Sequence, residues 1–411
     1  MTSPDALSIK ENMVWNTVGS LVNLGCQWFI SILVVWLSFG YESAGVYALA
    51  VAVFGIFSSV AQYRMYTYQV SDVRNENTTG EYLAFRFVTS GMAFALVLVY
   101  SFATCSYEYI PSIACYSVYK VATLFVDVFH ACDQRYGRMD YVGKSLAMQG
   151  ISTAVSFAVV FFVGQSLEIS FLSMTLCVAI IGVVYDRSRA AQFEAVVIRI
   201  SLKKTKYLLV KCFPVVIAGI IAAATPSIPR QYLSYAMGSE ALGIFASVAA
   251  PVAIIQMGAN YVYSPLLGYF SLYYSRNNRS AFWALFGKST FAICLIALVC
   301  IAVLLFAGEP LLALMYGDSI RPYTYLLIPL VIFALLNGYS WFLNDLLISF
   351  RDFKGTVIAT FVGFFVMIAT CVPLINECGM LGAAYTGIVS SLAFVIAMAC
   401  ALWCNLSSWG Q

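Results

Sequence analysis

The chain has 411 residues, of which 62% are hydrophobic and 10% charged, with a formal net charge of +3. A soluble domain carries roughly 25% charged residues, so this composition excludes a soluble globular protein and implies an integral membrane protein. The apolar runs are too long and too continuous for a transmembrane β-barrel, whose strands read as segments of about ten alternating residues.

Helical membrane spans need about 20 apolar residues each. Twelve such runs follow one another at about 13–38, 43–65, 82–104, 109–130, 142–163, 167–186, 207–233, 242–270, 282–306, 322–348, 355–375 and 380–404. The predicted fold class is therefore an all-α integral membrane protein with twelve transmembrane helices. The polar leader is not a signal peptide, because the first apolar run is too long for one and no small-residue cleavage site closes it. The twelve cysteines are scattered through the spans without a CxxC pattern and read as small packing residues. The single histidine, His130, cannot found a metal site alone, and no cofactor is implied.

Lys and Arg counting sets the orientation. With the N-terminus inside, nineteen of the 22 fall at cytoplasmic loops or span ends, while Arg230 and Arg321 fall outside and Lys120 lies within a span. Both termini are then cytoplasmic, and a multi-pass protein of the cytoplasmic membrane is expected.

In the first span Asn12, Asn16, Gly19, Asn23 and Gln27 share an arc of about 80° at 100° per residue. Amides facing lipid would leave polar groups unpaired at a few kcal/mol each, so the stripe faces other helices or a wet cavity. Arg64, with Gln62 and Tyr63, closes the second span. It is a candidate for the same cavity, the alternative being a side chain that snorkels to the headgroups.

The fourth span places Lys120 near the bilayer midplane, on one face with Tyr116, Thr123 and Asp127. Lys120 and Asp127 are about 10 Å apart along the axis. An intramembrane ammonium marks a functional site by default, the alternative being a structural partner on another helix, such as Asp345 or an amide. The fifth and sixth spans carry little polar chemistry beyond Gln149 and hydroxyls. Residues 187–211 then hold seven Lys/Arg against one Glu, alternating helically with apolar residues. This stretch is expected to be an amphipathic linker on the anionic inner leaflet, which accounts for its charge without nucleic acid.

Past the middle comes TPSIPRQYLSYAMGSEALGIFASVA, residues 225–249. Pro226 and Pro229 are expected to interrupt the seventh span beside Arg230, since proline removes a donor and frees carbonyls upstream. A Gly-Ser-Glu turn then leads into the eighth span. Residues 238–252 repeat residues 40–54 at an offset of 198, with five identities in fifteen: two Gly, one Glu and two Ala. Two similar halves follow, expected at 1–186 and 207–411 with the basic linker 187–206 between them. The eighth span carries Gln256, Asn260 and Tyr261. The tenth carries Asn337, Asn344 and Asp345 before Arg351, and the twelfth opens on the small-residue run GMLGAAYTGIVSS.

The segment SIPRQYLSYAMGSEALGIFASVAAP resembles the middle signature of the Wzx-type polysaccharide flippases of the multidrug/oligosaccharidyl-lipid/polysaccharide (MOP) exporter superfamily. That signature reads roughly N-x-P-R-Y, then an acidic residue and LGIFA; here Ser227 stands for the Asn and Gln231 precedes the Tyr. WNTVGSLVN in the first span, Lys120 with Asp127 and the Gln134-Arg135 loop, and ECGMLGAAY before the twelfth are similar to that family as well. The resemblance implies two six-helix lobes in a V, related by a pseudo-two-fold along the membrane normal. It also implies a lipid-linked oligosaccharide as cargo, crossing from the inner to the outer leaflet by alternating access. The pyrophosphate head group suits a cationic cavity, with Lys120, Arg230 and Arg64 as cations and Asn16, Asn23 and Gln27 for sugar hydroxyls. Asp127 and Asp345 are the coupling or gating candidates. The bilayer itself, and with it a polysaccharide polymerase and a chain-length regulator, are the implied partners.

Two other readings stand beside this one. A MATE-like H⁺- or Na⁺-coupled antiporter of drugs or organic cations needs carboxylates in the first half, where the first span has none in its interior and the fourth offers Asp127. A membrane glycan polymerase needs a large outer loop, whereas the outer loops here are short and acidic and no catalytic constellation is present; the protein is not expected to be an enzyme.

Overall fold

The computed structural model describes residues 7–38, 40–72, 76–263, 266–276, 278–349 and 352–407. Arg74 and Arg351, and the side chains of Asn260 and Tyr261, lie outside the described residues. Every long element is helical: α1 (Ile9–Leu37), α2 (Glu42–Gln62), α3 (Met65–Val70), α4 (Thr79–Thr104), α5 (Ile110–Arg135), α6 (Met139–Gly164), α7 (Leu167–Ile181), α8 (Arg187–Ala190), α9 (Leu202–Tyr263), α10 (Leu267–Ser275), α11 (Arg279–Tyr316), α12 (Leu327–Ser349), α13 (Phe353–Cys378) and α14 (Met380–Ser407). A π-helical turn, Gly182–Asp186, joins α7 to α8, and a 3₁₀ stretch, Asp318–Leu326, joins α11 to α12.

Eleven helices among the described residues are long and apolar enough to cross a membrane. The seventh of these, Leu202–Val252, has 51 residues. At 1.5 Å per residue it would extend about 75 Å, more than twice the roughly 30 Å hydrocarbon core. It is broken at Gly238, whose φ of 88° and ψ of 167° are non-helical. Two apolar runs therefore share one continuous element.

That break corrects one expectation. Pro226 and Pro229 do not interrupt the helix, which runs through both and gives way at Gly238 instead. Proline weakens a helix by one donor and a steric clash, whereas positive φ with extended ψ is open essentially to glycine alone. Gly238 heads the second copy of the 198-residue repeat. Gly40 heads the first, two residues before α2 begins at Glu42.

By contacts the chain divides into two units, Met1–Ala223 and Ala224–Gln411, with the boundary inside α9. In the first unit α1 begins at a capping box, in which Ser8 and Glu11 satisfy each other's backbone donors. Its amide face lies on α6. Gly19 and Gly143 meet so closely that a methyl group on Gly19 would strike the Gly143 backbone, and one on Gly143 would strike the Trp15 carbonyl. Small residues of this kind let membrane helices approach. One turn further on, Gly150 accommodates Asn23. α5 packs against α2, α3, α4 and α7.

The linker also departs from expectation. It is helical at Arg187–Ala190 and again from Leu202, where α9 starts, but residues 195–201 between them carry no helix. Glu194 accepts from the backbone N–H and the hydroxyl of Thr79 at the start of α4, at 3.2 and 2.5 Å, and pairs with Arg135 at 3.6 Å. Val197 then passes its backbone directly over Gly80, where any side chain would collide. Lys204 clasps both carboxylate oxygens of Glu81 at 2.8 Å. Glu194 and Val197 thus hold the non-helical stretch against the start of α4, and Lys204 adds a contact from the first turn of α9.

In the second unit α12, α13 and α14 pack together, and an aromatic cluster of Tyr263, Phe270, Phe282 and Phe342 forms the core with Leu346 and Met398. Gly379 (φ 59°) closes α13, and Gly382 in the small-residue run fits against the backbone of Leu374.

Candidate functional site

α5 carries the chemistry of the first unit. Pro111 stands in its first turn, where a missing N–H removes no helical bond. Its following residues present an aromatic face, with Tyr116 and Tyr119 both buried. Tyr116 meets Tyr47, Phe54 and Phe171 at ring separations of 5.3–6.3 Å. Lys120 follows at the edge of this cluster, half-buried, with its ammonium 5.1 Å from the centre of the Tyr119 ring and 5.7 Å from that of Tyr116. Among the described residues no carboxylate forms an ion pair with Lys120. The ring faces hold the cation by their quadrupoles, and among the described residues its ammonium donates no hydrogen bond.

Gln27 joins the same group. Its Nε2 donates to the hydroxyl of Tyr119 at 2.9 Å, so α1 reaches the ring beneath the ammonium. Asn23 lies on the same face, against Gly150, and Asn16 is half-buried about two turns earlier. Asn12, at the head of the stripe, donates to the Leu7 carbonyl and accepts from the backbone N–H of Met139. The stripe thus divides its work: its start fixes α1 to α6, and its end meets the lysine's aromatic platform.

Asp127 lies two turns along α5 from Lys120 and does not pair with it; its side chain is 38% exposed and faces His130. Arg64 is exposed in a left-handed conformation (φ 58°) between α2 and α3. The second unit holds the other two candidates. Arg230 is half-buried on α9, two turns before the Gly238 break. Asp345 on α12 accepts from the Tyr263 hydroxyl at 2.9 Å and from Asn344 at 3.3 Å.

Two features escaped the sequence reading. Lys203, Lys206 and Lys211 line a cleft of about 460 Å³ with Tyr207 and Val210. Lys211 donates to the hydroxyls of both Tyr68 and Tyr207 at 2.9 Å. The sequence divides residues 206–211 between the linker and the seventh span, which hides their common face. The second feature is a polar cluster on α5, α6 and the π-helical turn, built on His130 and Asp186. Nothing in hydropathy brings these residues together.

No protein-family model matches the chain. Over 282 residues it is 21% identical to the capsular polysaccharide biosynthesis protein CapF of Staphylococcus aureus, covering 68% of this chain and 71% of that one. Among solved structures, an inward-facing MATE-family multidrug resistance transporter of the MOP superfamily superposes with a TM-score of 0.67 at 12% identity, over 94% of this chain and 98% of the other. The lipid II flippase MurJ superposes at 0.71 with 10% identity, over 95% and 87%. A variant of the Vibrio cholerae MATE transporter VcmN gives 0.60 with 11% identity, over 96% of each. The fold is that of the MOP transporters. A multidrug resistance transporter and a lipid II flippase thus share this architecture.

Proposed function

We propose that this MOP-fold protein is a flippase that carries a polyprenyl-pyrophosphate-linked oligosaccharide from the inner to the outer leaflet of the cytoplasmic membrane, for assembly of a surface polysaccharide. The observation that carries the reading is Lys120: a membrane-embedded ammonium seated on two tyrosine rings, with no carboxylate paired to it among the described residues. A cation held in this way is matched to an anionic ligand and repels a cationic one. Gln27, reaching Tyr119 from α1, supplies an amide beside it for a sugar hydroxyl, and Arg230 is a second membrane-embedded cation. The similarity to a capsular polysaccharide biosynthesis protein, and in fold to a lipid II flippase, supports this cargo class. Transport would proceed by alternating access with the lipid tail kept in the bilayer, without an enzymatic step, and a polysaccharide polymerase and chain-length regulator would act on the delivered unit.

A cation-coupled antiporter is the second reading, and one observation favours it: the first unit contains buried carboxylates at Asp133 and Asp186. The deciding experiment is leaflet exchange in proteoliposomes. The flippase reading predicts exchange of a fluorescent polyprenyl-pyrophosphate oligosaccharide above that of protein-free vesicles, and no efflux of an organic cation under a proton or sodium gradient. The reverse pattern would establish the antiporter.

A further inference from the structure

His130 is the only histidine in the chain, and both of its ring nitrogens face carboxylates. Nε2 lies 3.2 Å from Oδ1 of Asp186, and Nδ1 lies 3.9 Å from Oδ1 of Asp127. The other oxygen of Asp186 accepts from Ser145 at 2.9 Å, and the Ser145 hydroxyl accepts from Gln149 at 3.0 Å. His130, Ser145, Gln149 and Asp186 are all buried, while Asp127 opens to the surroundings.

A third carboxylate stands beside them. Asp133, one turn beyond His130, is fully buried, and neither of its side-chain oxygens has a hydrogen-bond partner among the described residues. Its electrostatic neighbours are His130, Asp186, Asp140 and Arg138. A buried carboxylate without donors is normally excluded from a folded protein, because the charge has lost its water. Such a group is tolerated where it takes up a proton or meets a ligand. The backbone marks the same place: Asp186 ends the π-helical turn Gly182–Asp186, and single π turns inside helices gather at functional sites.

We propose that His130, Asp133 and Asp186 form a proton-binding site within the first unit, entered through Asp127. The imidazole is the relay, since one ring nitrogen can receive a proton on the Asp127 side while the other releases one toward Asp186. Three carboxylates around one imidazole leave an excess of negative charge that proton uptake relieves. Around them stand Arg86 from α4, Tyr66 from α3, Lys120 on α5, Arg138 and Asp140 at the start of α6, and Tyr185 in the π-helical turn. Tyr66 donates to Gln134, and Arg138 is held in the fork of Asp140, so neither supplies a donor to Asp133. Use of the site to drive transport rests on the reading of the protein as a transporter; proton binding itself does not.

The test needs no cargo. The protein is purified through a tag without histidine and placed in nanodiscs. Infrared difference spectra between alkaline and acidic buffer are recorded beside NMR spectra of the single labelled imidazole. The site predicts a carboxylic-acid carbonyl band whose appearance with falling pH coincides with the change of the imidazole signals. It also predicts loss of that band in Asp133→Asn and displacement of the imidazole midpoint in the milder Asp127→Asn. An imidazole that titrates alone in the native protein, with no carboxylic-acid band accompanying it, would overturn the proposal. The native comparison decides even if a variant fails to fold. Because no lipid-linked substrate is present, failure here leaves the flippase reading to its own assay.

Discussion

Arg86 on α4 donates from Nη1 to the carbonyls of both Ala61 and Gln62, at 2.5 and 2.7 Å, and so closes the C-terminus of α2. The last carbonyls of a helix have no partner within it, and here a buried guanidinium supplies one, with the Thr89 hydroxyl adding a third bond to Ala61 at 3.0 Å. Immediately beyond, Tyr63 and Arg64 both turn left-handed and lead into α3. Replacing Arg86 by leucine should destabilise the protein by about 1.5–3 kcal/mol, the range for a hydrogen bond to a charged group. Unfolding in mixed micelles would measure it, and Arg86→Lys should recover part of the loss.

The α1–α6 contact depends on two glycines. A side chain at Gly143 must displace the Trp15 backbone, and overpacking of that kind typically costs about 1–3 kcal/mol. Gly143→Val is expected to lower thermal stability, and Gly91→Ala, at a position with open space around it, to leave it nearly unchanged. Fluorescence-detected size-exclusion after heating would compare the two.

Asp72, outside the spans, gives a prediction in pH. Burial would raise its carboxyl. The backbone donors of Glu76 and Asn77, the Tyr82 hydroxyl and the nearby Arg135 together outweigh that and hold it below the usual carboxylate range. A carboxylate depressed in the folded state contributes stability that is complete above its unfolded pKa of about 3.9 and is lost as pH falls through the folded value. Melting temperature should therefore decline below about pH 4, and Asp72→Asn should flatten that acid limb while lowering stability at neutral pH.

Much of the fold was legible because a bilayer demands about 20 apolar residues per span, and the chain supplies them as separate runs. The amide stripe and the Lys120 face were legible for the same reason: polar residues stand out against an apolar background, and 100° per residue sorts them onto faces. The His130 cluster was not. Asp186 lies 56 residues from His130, on a segment that reads as the charged end of a span, and only the packing of α5, α6 and α7 joins them. The one available sign was Asp127, His130 and Asp133 at intervals of three along α5. The break at Gly238 was obscured differently. Two prolines nearby carry a stronger general expectation of disruption than a glycine, yet a helix can pass through proline with one bond fewer and cannot pass through φ of 88°.

The central claim concerns Lys120, and the most direct measurement is leaflet exchange of a fluorescent polyprenyl-pyrophosphate oligosaccharide by native protein, Lys120→Ala and Lys120→Arg in the same vesicles. A cation that grips the head group predicts at least a roughly tenfold slower exchange in Lys120→Ala, corresponding to loss of about 1.4 kcal/mol, with partial recovery in Lys120→Arg. Equal exchange by all three folded proteins would contradict the account and make the lysine a structural element of the α5 aromatic cluster.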